Sequence, residues 1–310
     1  MNQSNVSRED QSMDVVFDWN EVAHPRQVIE PGFELVDETL RDGIQSPSVR
    51  HPNIEEKIEI LHLMEACGIE NVDVGLPGTG KQACTHVQRL CEEIQKNNMA
   101  IKPNCAARTH PDDIRAIIDI SQKTGVEIEV CAFLGASPIR RVLEGWDPQR
   151  MVNMTTSSAR LAVDAGLPFS FVTEDTTRSD PNILSMLFRA AIEHGATRLV
   201  LTDTVGHATP DGLRNLVTFT QSIIRSSKED VKIDWHGHND RGLSLTLCLS
   251  ALEYGVHGGE DVGVPGIGHH LLDVLVRDGP PGAVQGQFFQ LPDYDPQVAA
   301  DSLREGVDGP

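Results

Sequence analysis

Lys232-Ile233-Asp234-Trp235-His236-Gly237-His238-Asn239-Asp240 begins as a short, largely apolar run and ends in a cluster of polar side chains. The run Lys232–His238 reads as a buried parallel strand, and the residues after it as the loop at its mouth. Side chains two apart on a strand share a face, so His236 and His238 can converge on one ion. Between them stands only Gly237. Six further runs of this kind precede it: Phe33–Leu40, Asn71–Pro77, Ile101–Ala107, Val126–Phe133, Pro168–Glu174 and Arg198–Thr204. Segments of helical period separate them, among them Ile54–Ala66 and Pro181–His194. Asp180-Pro181 and Thr209-Pro210 are helix-start signals, and Gly68, Gly125, Gly166 and Gly195 stand where helices stop. Seven strand–helix alternations demand a parallel sheet covered by helices, an α/β fold. An eighth unit closes it into a (β/α)8 TIM barrel; a doubly wound open sheet is the alternative. The eighth unit expected is Gly259–Pro265 followed by Leu271–Arg277. It is atypical: Val256–Pro265 holds His257, Gly258, Gly259, Glu260 and Asp261, a poor match to a buried parallel strand.

A barrel of this kind accommodates 310 residues as one unit. We expect an N-terminal arm at 1–31, a catalytic barrel at 32–280 and an irregular tail at 281–310. No apolar run is long enough to cross a membrane, and Met1 to Asp14 is too polar for a secretory signal. The six cysteines form no CxxC pair, and most lie in apolar patterns. Reduced thiols in a cytoplasmic protein are expected. A net charge of −20 argues against nucleic-acid binding, which needs a basic footprint. It leaves room for a small anionic substrate at a local cation.

Catalytic residues of such barrels stand at the C-terminal ends of the strands. The first strand ends Asp37-Glu38-Thr39-Leu40-Arg41-Asp42-Gly43, placing a guanidinium beside a carboxylate. Asp42, His236 and His238 therefore form a candidate site for a divalent metal (Mg, Mn or Zn), with positions left open for a substrate. A 2-oxo acid can chelate such an ion, and Arg41 stands ready to stabilise charge on its keto oxygen. Other motifs compete. Gly75-Leu76-Pro77-Gly78-Thr79-Gly80-Lys81 has Walker A spacing, but Gln82 replaces the Ser/Thr that holds magnesium. Arg140-Arg141 is either an exposed helix pair or a reader of a substrate carboxylate or phosphate. His86 and His207 read as packing or surface residues.

Asp37 to Gly43 with Gln45, and His236-Gly237-His238-Asn239-Asp240, resemble the two signatures of the DRE-TIM metallolyase family. That family includes 2-isopropylmalate synthase, homocitrate synthase, citramalate synthase and 3-hydroxy-3-methylglutaryl-CoA lyase. Asp73-Val74-Gly75-Leu76-Pro77, Thr173-Glu174-Asp175 and Asp203-Thr204-Val205-Gly206 resemble further family segments in the right order. The resemblance implies acetyl-CoA as partner, condensed with a 2-oxo acid, as in amino-acid biosynthesis. It implies proton handling or water ordering by Glu174, with a structural carboxylate as the alternative. It implies a substrate contact at Thr204 and orientation of the ligand set by Gln45, Asn239 and Asp37. Family members are commonly homodimers. A 3-hydroxyacyl-CoA lyase and a catalytically impaired metal-binding relative are the alternative functions.

The resemblance is expected to break after Gly255. Gly266-Ile267-Gly268 is followed by His269-His270-Leu271-Leu272-Asp273, where the family has Glu-Arg-x-Gly-Asn. Either the tail serves another acceptor, with His269 and His270 as new site residues, or it is not native family sequence and leaves the barrel badly closed.

Overall fold

A computed structural model describes residues 33–47 and 49–262. β1 (Glu34–Asp37), α1 (Ile54–Ala66), β2 (Asn71–Asp73) and α2 (Lys81–Asn97) open the alternation, followed by β3 (Lys102–Arg108) and α3 (Pro111–Thr124). After β4 (Glu129–Gly135) come two helices, the short α4 (Pro138–Glu144) and α5 (Pro148–Asp164). β5 (Phe169–Glu174), α6 (Pro181–Glu193), β6 (Arg198–Asp203), α7 (Pro210–Ser227), β7 (Lys232–His238) and α8 (Ser244–Glu253) continue the pattern. β8 (Gly258–Val262) pairs in parallel with both β7 and β1, so the barrel closes in sequence order. The helix expected at Leu271–Arg277, the arm 1–31 and the tail 281–310 lie outside the described residues.

The helices begin where the sequence says they must. Ser137, Asp147, Asp180 and Thr209 each precede a proline and accept a backbone N–H of the first turn. Asn53 opens α1 with a full capping box to Glu56. β1 and β2 are shorter than expected because side chains bend the chain early: Asp37 Oδ1 takes the Thr39 N–H, and Asp73 Oδ1 takes the Gly75 N–H.

Alternation along the strands divides the core. Phe169, Phe171, Leu199, Leu201, Ile233 and Trp235 share the outward face and are fully buried against the helices. At ~150–250 Å² per aromatic side chain and ~25 cal/mol per Å², each large ring contributes roughly 4–6 kcal/mol before conformational entropy is counted. The inward set is polar instead. Its lower layer is built on Arg198, whose Nη1 lies 2.6 and 2.7 Å from the two Asp234 oxygens and whose Nη2 lies 2.6 Å from Glu34. Lys232 reaches Glu34 at 2.9 Å, and Arg198 Nε is 3.6 Å from Glu129, which Ser170 also hydrogen-bonds. β1, β4, β6 and β7 are thus clamped beneath the mouth. This layer explains one residue of β8: a Cβ at Gly258 would lie 2.7 Å from the Asp234 carboxylate, so the strand must carry a glycine there. A cavity of about 540 Å³ opens at this end, but its Arg198 and Lys232 are already paired with carboxylates, as befits the stability face of a barrel.

Candidate active site

The candidate site lies at the opposite, C-terminal end. After β1 the Arg41 and Gly43 N–H groups fold back onto the Glu38 carbonyl at 3.1 and 3.0 Å, a tight turn that sets Arg41 and Asp42 at the mouth. β7 delivers His236 and His238 on one face, as the spacing requires. The residue between them must be small: a Cβ at Gly237 would lie 2.8 Å from Trp235 Nε1. Ser244 Oγ donates to the Gly237 carbonyl at 2.9 Å, and the Ser244 N–H donates to Asn239 Oδ1 at 3.2 Å. Asn239 thereby ties the strand end to the start of α8, a brace for the histidines.

Asp42 Oδ2 is 3.3 Å from His236 Nε2 and 3.3 Å from His238 Nε2, and the two Nε2 atoms are 3.3 Å apart. The centre of such a triangle is 3.3/√3, about 1.9 Å, from each corner. Ligand distances of ~2.0–2.2 Å to a divalent ion would be compatible with a triangle of that size. Two imidazole nitrogens and one carboxylate oxygen suit a borderline or hard divalent cation. These residues could hold one.

The surrounding charges are arranged to keep Asp42 ionised. Burial opposes the carboxylate, but hydrogen bonds from His236 and His238 and the Arg41 charge hold it well below the usual range. Arg41 in turn is gripped by Glu38 at 2.6 Å and Asp73 at 3.1 Å, with Asp42 at 3.5 Å. Although burial opposes it, these carboxylates raise the guanidinium's pKa further, so it stays charged. Glu38 Oε1 also stands 3.9 Å behind His236 Nδ1. With an ion in the triangle, the Glu38 charge would favour a proton on Nδ1 and so free the Nε2 lone pair as a ligand. Glu38 and Asp73 were visible in the quoted motifs without a role; only the fold shows that they aim Arg41.

The other candidates stand on neighbouring strand ends. Glu174 closes β5 and is half-buried. Thr204 Oγ1 accepts the Asp175 N–H at 2.8 Å, which leaves its own hydroxyl hydrogen to donate. Thr202, in register with His236, was missed by sequence reasoning; its hydroxyl is buried without a hydrogen-bond partner. Gln45 is exposed in the turn beside Asp42, and Asp37 caps that turn. Arg140 arches over Gly135, where a Cβ would meet its Cγ at 2.4 Å. Gly135 is in register with Glu174, so the Arg140 stem takes the place of an inward side chain at the end of β4. The Walker-like turn packs differently: a Cβ at Gly78 would lie 2.3 Å from the Asp113 carboxyl carbon. A carboxylate fills that space and would repel a phosphate. Three cysteines, Cys91, Cys105 and Cys248, are buried, while Cys67 is exposed; none forms a disulfide.

Residues 32–271 match the model of the HMGL-like family. The chain belongs to that family, the DRE-TIM metallolyases. The match runs past Gly255, where the sequence reading placed the break, and takes in Gly266-Ile267-Gly268. Among curated relatives, the 2-isopropylmalate synthase of Oceanobacillus iheyensis is 30% identical over 79% of this chain and 46% of that protein. Homocitrate synthase AksA of Methanothermobacter thermautotrophicus is 32% identical over 70% of this chain and 52% of that protein. The chain thus spans about half the length of these relatives. In fold, it resembles the hydroxymethylglutaryl-CoA lyase of Pseudomonas aeruginosa, with a TM-score of 0.61 at 17% identity over 74% of this chain and 75% of that one. No helix among the described residues is long and apolar enough to cross a membrane.

Proposed function

We propose that this chain is a cytosolic acyltransferase that condenses acetyl-CoA with a 2-oxo acid, using a divalent cation held by Asp42, His236 and His238. The observation that carries the reading is the 3.3 Å triangle of donor atoms beside a clamped Arg41. A cation held there would supply Lewis acidity toward the keto group of a 2-oxo acid. Arg41, fixed by Glu38 and Asp73, places its guanidinium to stabilise negative charge growing on the former keto oxygen. Glu174 takes the proton from the acetyl methyl group as its carbon attacks the keto carbon. Thr204 donates to the substrate carboxylate, Arg140 reaches over Gly135 toward the substrate, and Gln45, Asn239 and Asp37 shape the loops that carry the ligands. Water then attacks the thioester carbonyl and releases the CoA thiol, which makes the sequence irreversible. Support for a synthase over a 3-hydroxyacyl-CoA lyase comes from the relatives at 30–32% identity, which are synthases, while the lyase likeness is one of fold.

The test is thiol release from acetyl-CoA against a panel of 2-oxo acids, with and without chelator. Chelator-sensitive release with at least one acid is expected. Cleavage of a 3-hydroxyacyl-CoA, with no release for any acid, would overturn the synthase reading.

A further inference from the structure

Thr202 is 6% exposed, and its Oγ1 is shielded from solvent without a hydrogen-bond partner. A buried hydroxyl left in this way opposes folding, and one that is kept calls for a role. β6 turns Leu199 and Leu201 outward, so Thr202 faces the barrel interior near its mouth. On one side it is in register with His236. On the other, Thr173 pairs with Leu201, so the next residue along β5, Glu174, comes alongside Thr202. Neighbouring strands lie ~4.8 Å apart, which puts the hydroxyl within reach of both side chains.

An oxygen that solvent cannot touch acts on a neighbouring side chain rather than on a substrate. His236 is already committed: its Nε2 lies 3.3 Å from Asp42, and its Nδ1 faces Glu38 at 3.9 Å. Glu174 is not. It is half-buried at the inward end of β5, and its carboxylate has no hydrogen bond or ion pair among the described residues.

We propose that Thr202 is the positioning residue for the Glu174 carboxylate, an inference that rests on the acyl-transfer reading above. Substrate lying over Glu174 strips water from the carboxylate, and the Thr202 O–H then donates to one of its oxygens. That bond is charge-assisted and fixes the direction of the other oxygen. The free oxygen takes the proton from the acetyl methyl group, while the electron pair of the broken C–H bond forms the new C–C bond to the keto carbon. A valine at 202 has the same shape without the hydroxyl. It loses the positioning of Glu174 and, in the free chain, no hydrogen bond at all.

The experiment compares Thr202→Val, Thr202→Ser, Glu174→Gln and the Thr202→Val/Glu174→Gln double variant with wild type. Thr202→Val should lower kcat for acyl transfer by roughly tenfold or more, the loss of a charge-assisted hydrogen bond. Its KM for the 2-oxo acid and its metal affinity should be unchanged, and its unfolding midpoint no lower than that of wild type. Thr202→Ser should restore most of kcat. In the Glu174→Gln background, Thr202→Val should cost little more, because the group it acts through is already gone. A wild-type kcat in Thr202→Val, or a full additional loss in the double variant, overturns the positioning role and leaves acyl transfer standing. A fall in kcat that comes with weaker metal binding or a lowered unfolding midpoint also overturns it, since the hydroxyl would then serve His236 or the fold. A wild type that transfers no acetyl group to any 2-oxo acid overturns both readings.

Discussion

Glu34→Gln tests the charged layer beneath the site. Hydrogen bonds and charge from Arg198 and Lys232 overcome the opposing cost of burial and hold the Glu34 carboxyl at about 2, against 4.5 when unfolded. At ~1.36 kcal/mol per unit, a shift of about 2.5 units corresponds to about 3 kcal/mol of stability at neutral pH. Two effects reduce it. Lys232 is 43% exposed, so its share is screened by solvent. Losing the Glu34 charge also eases the ionisation of Asp234, which burial pushes up to about 6. A net loss of about 2 kcal/mol is expected at pH 7. The folded pKa is depressed, so the contribution is fully present above 4.5 and disappears as pH falls toward 2. Urea unfolding of wild type and variant at pH 7 and again near pH 3 reads both numbers. A gap that is absent at pH 7, or as large at pH 3 as at pH 7, would refute an ionised Glu34 as a clamp between β1, β6 and β7.

Three other perturbations probe the mouth. His236→Ala or Asp42→Ala should weaken divalent-metal binding by more than the ~10–100-fold that an outer-shell loss costs, as measured by dialysis; unchanged stoichiometry and affinity would sink the ligand assignment. Glu38→Gln, which leaves all three ligands in place, should cost metal affinity within that ~10–100-fold range, and a wild-type affinity would show that Glu38 does not orient His236. Gly237→Ala should cost roughly 1–3 kcal/mol and alter the Trp235 fluorescence, because the new Cβ meets the indole nitrogen at 2.8 Å; a silent substitution would mean that the indole moves freely.

The convergence of Asp42, His236 and His238 was legible because it obeys local rules: two histidines at strand spacing and an Arg-Asp pair after another strand. Seven of the eight strands were legible for the same reason, their outward residues being apolar. What the sequence hid lies in contacts between distant strands. Arg41 is held by Asp73, thirty-two residues away, and Arg198 by Glu34, at a separation of 164 residues. Neither pairing leaves a periodic trace, so Glu38 and Asp73 had no assigned role and the Arg198 layer was not foreseen. The eighth strand is the instructive case. His257, Gly258, Gly259, Glu260 and Asp261 looked wrong for a buried parallel strand because such strands usually face an apolar interior. Here the neighbouring inward residues are Asp234 and Glu34, and the Asp234 carboxylate fills the space that a side chain at 258 would occupy. A hydrophobic residue at 258 would have met the rule for strands and collided with the carboxylate. Position 258 is a glycine because the barrel's interior is polar and filled at that level, and the same Glu34–Arg198–Asp234 layer holds β1 and β7, the bearers of Asp42, His236 and His238, in register.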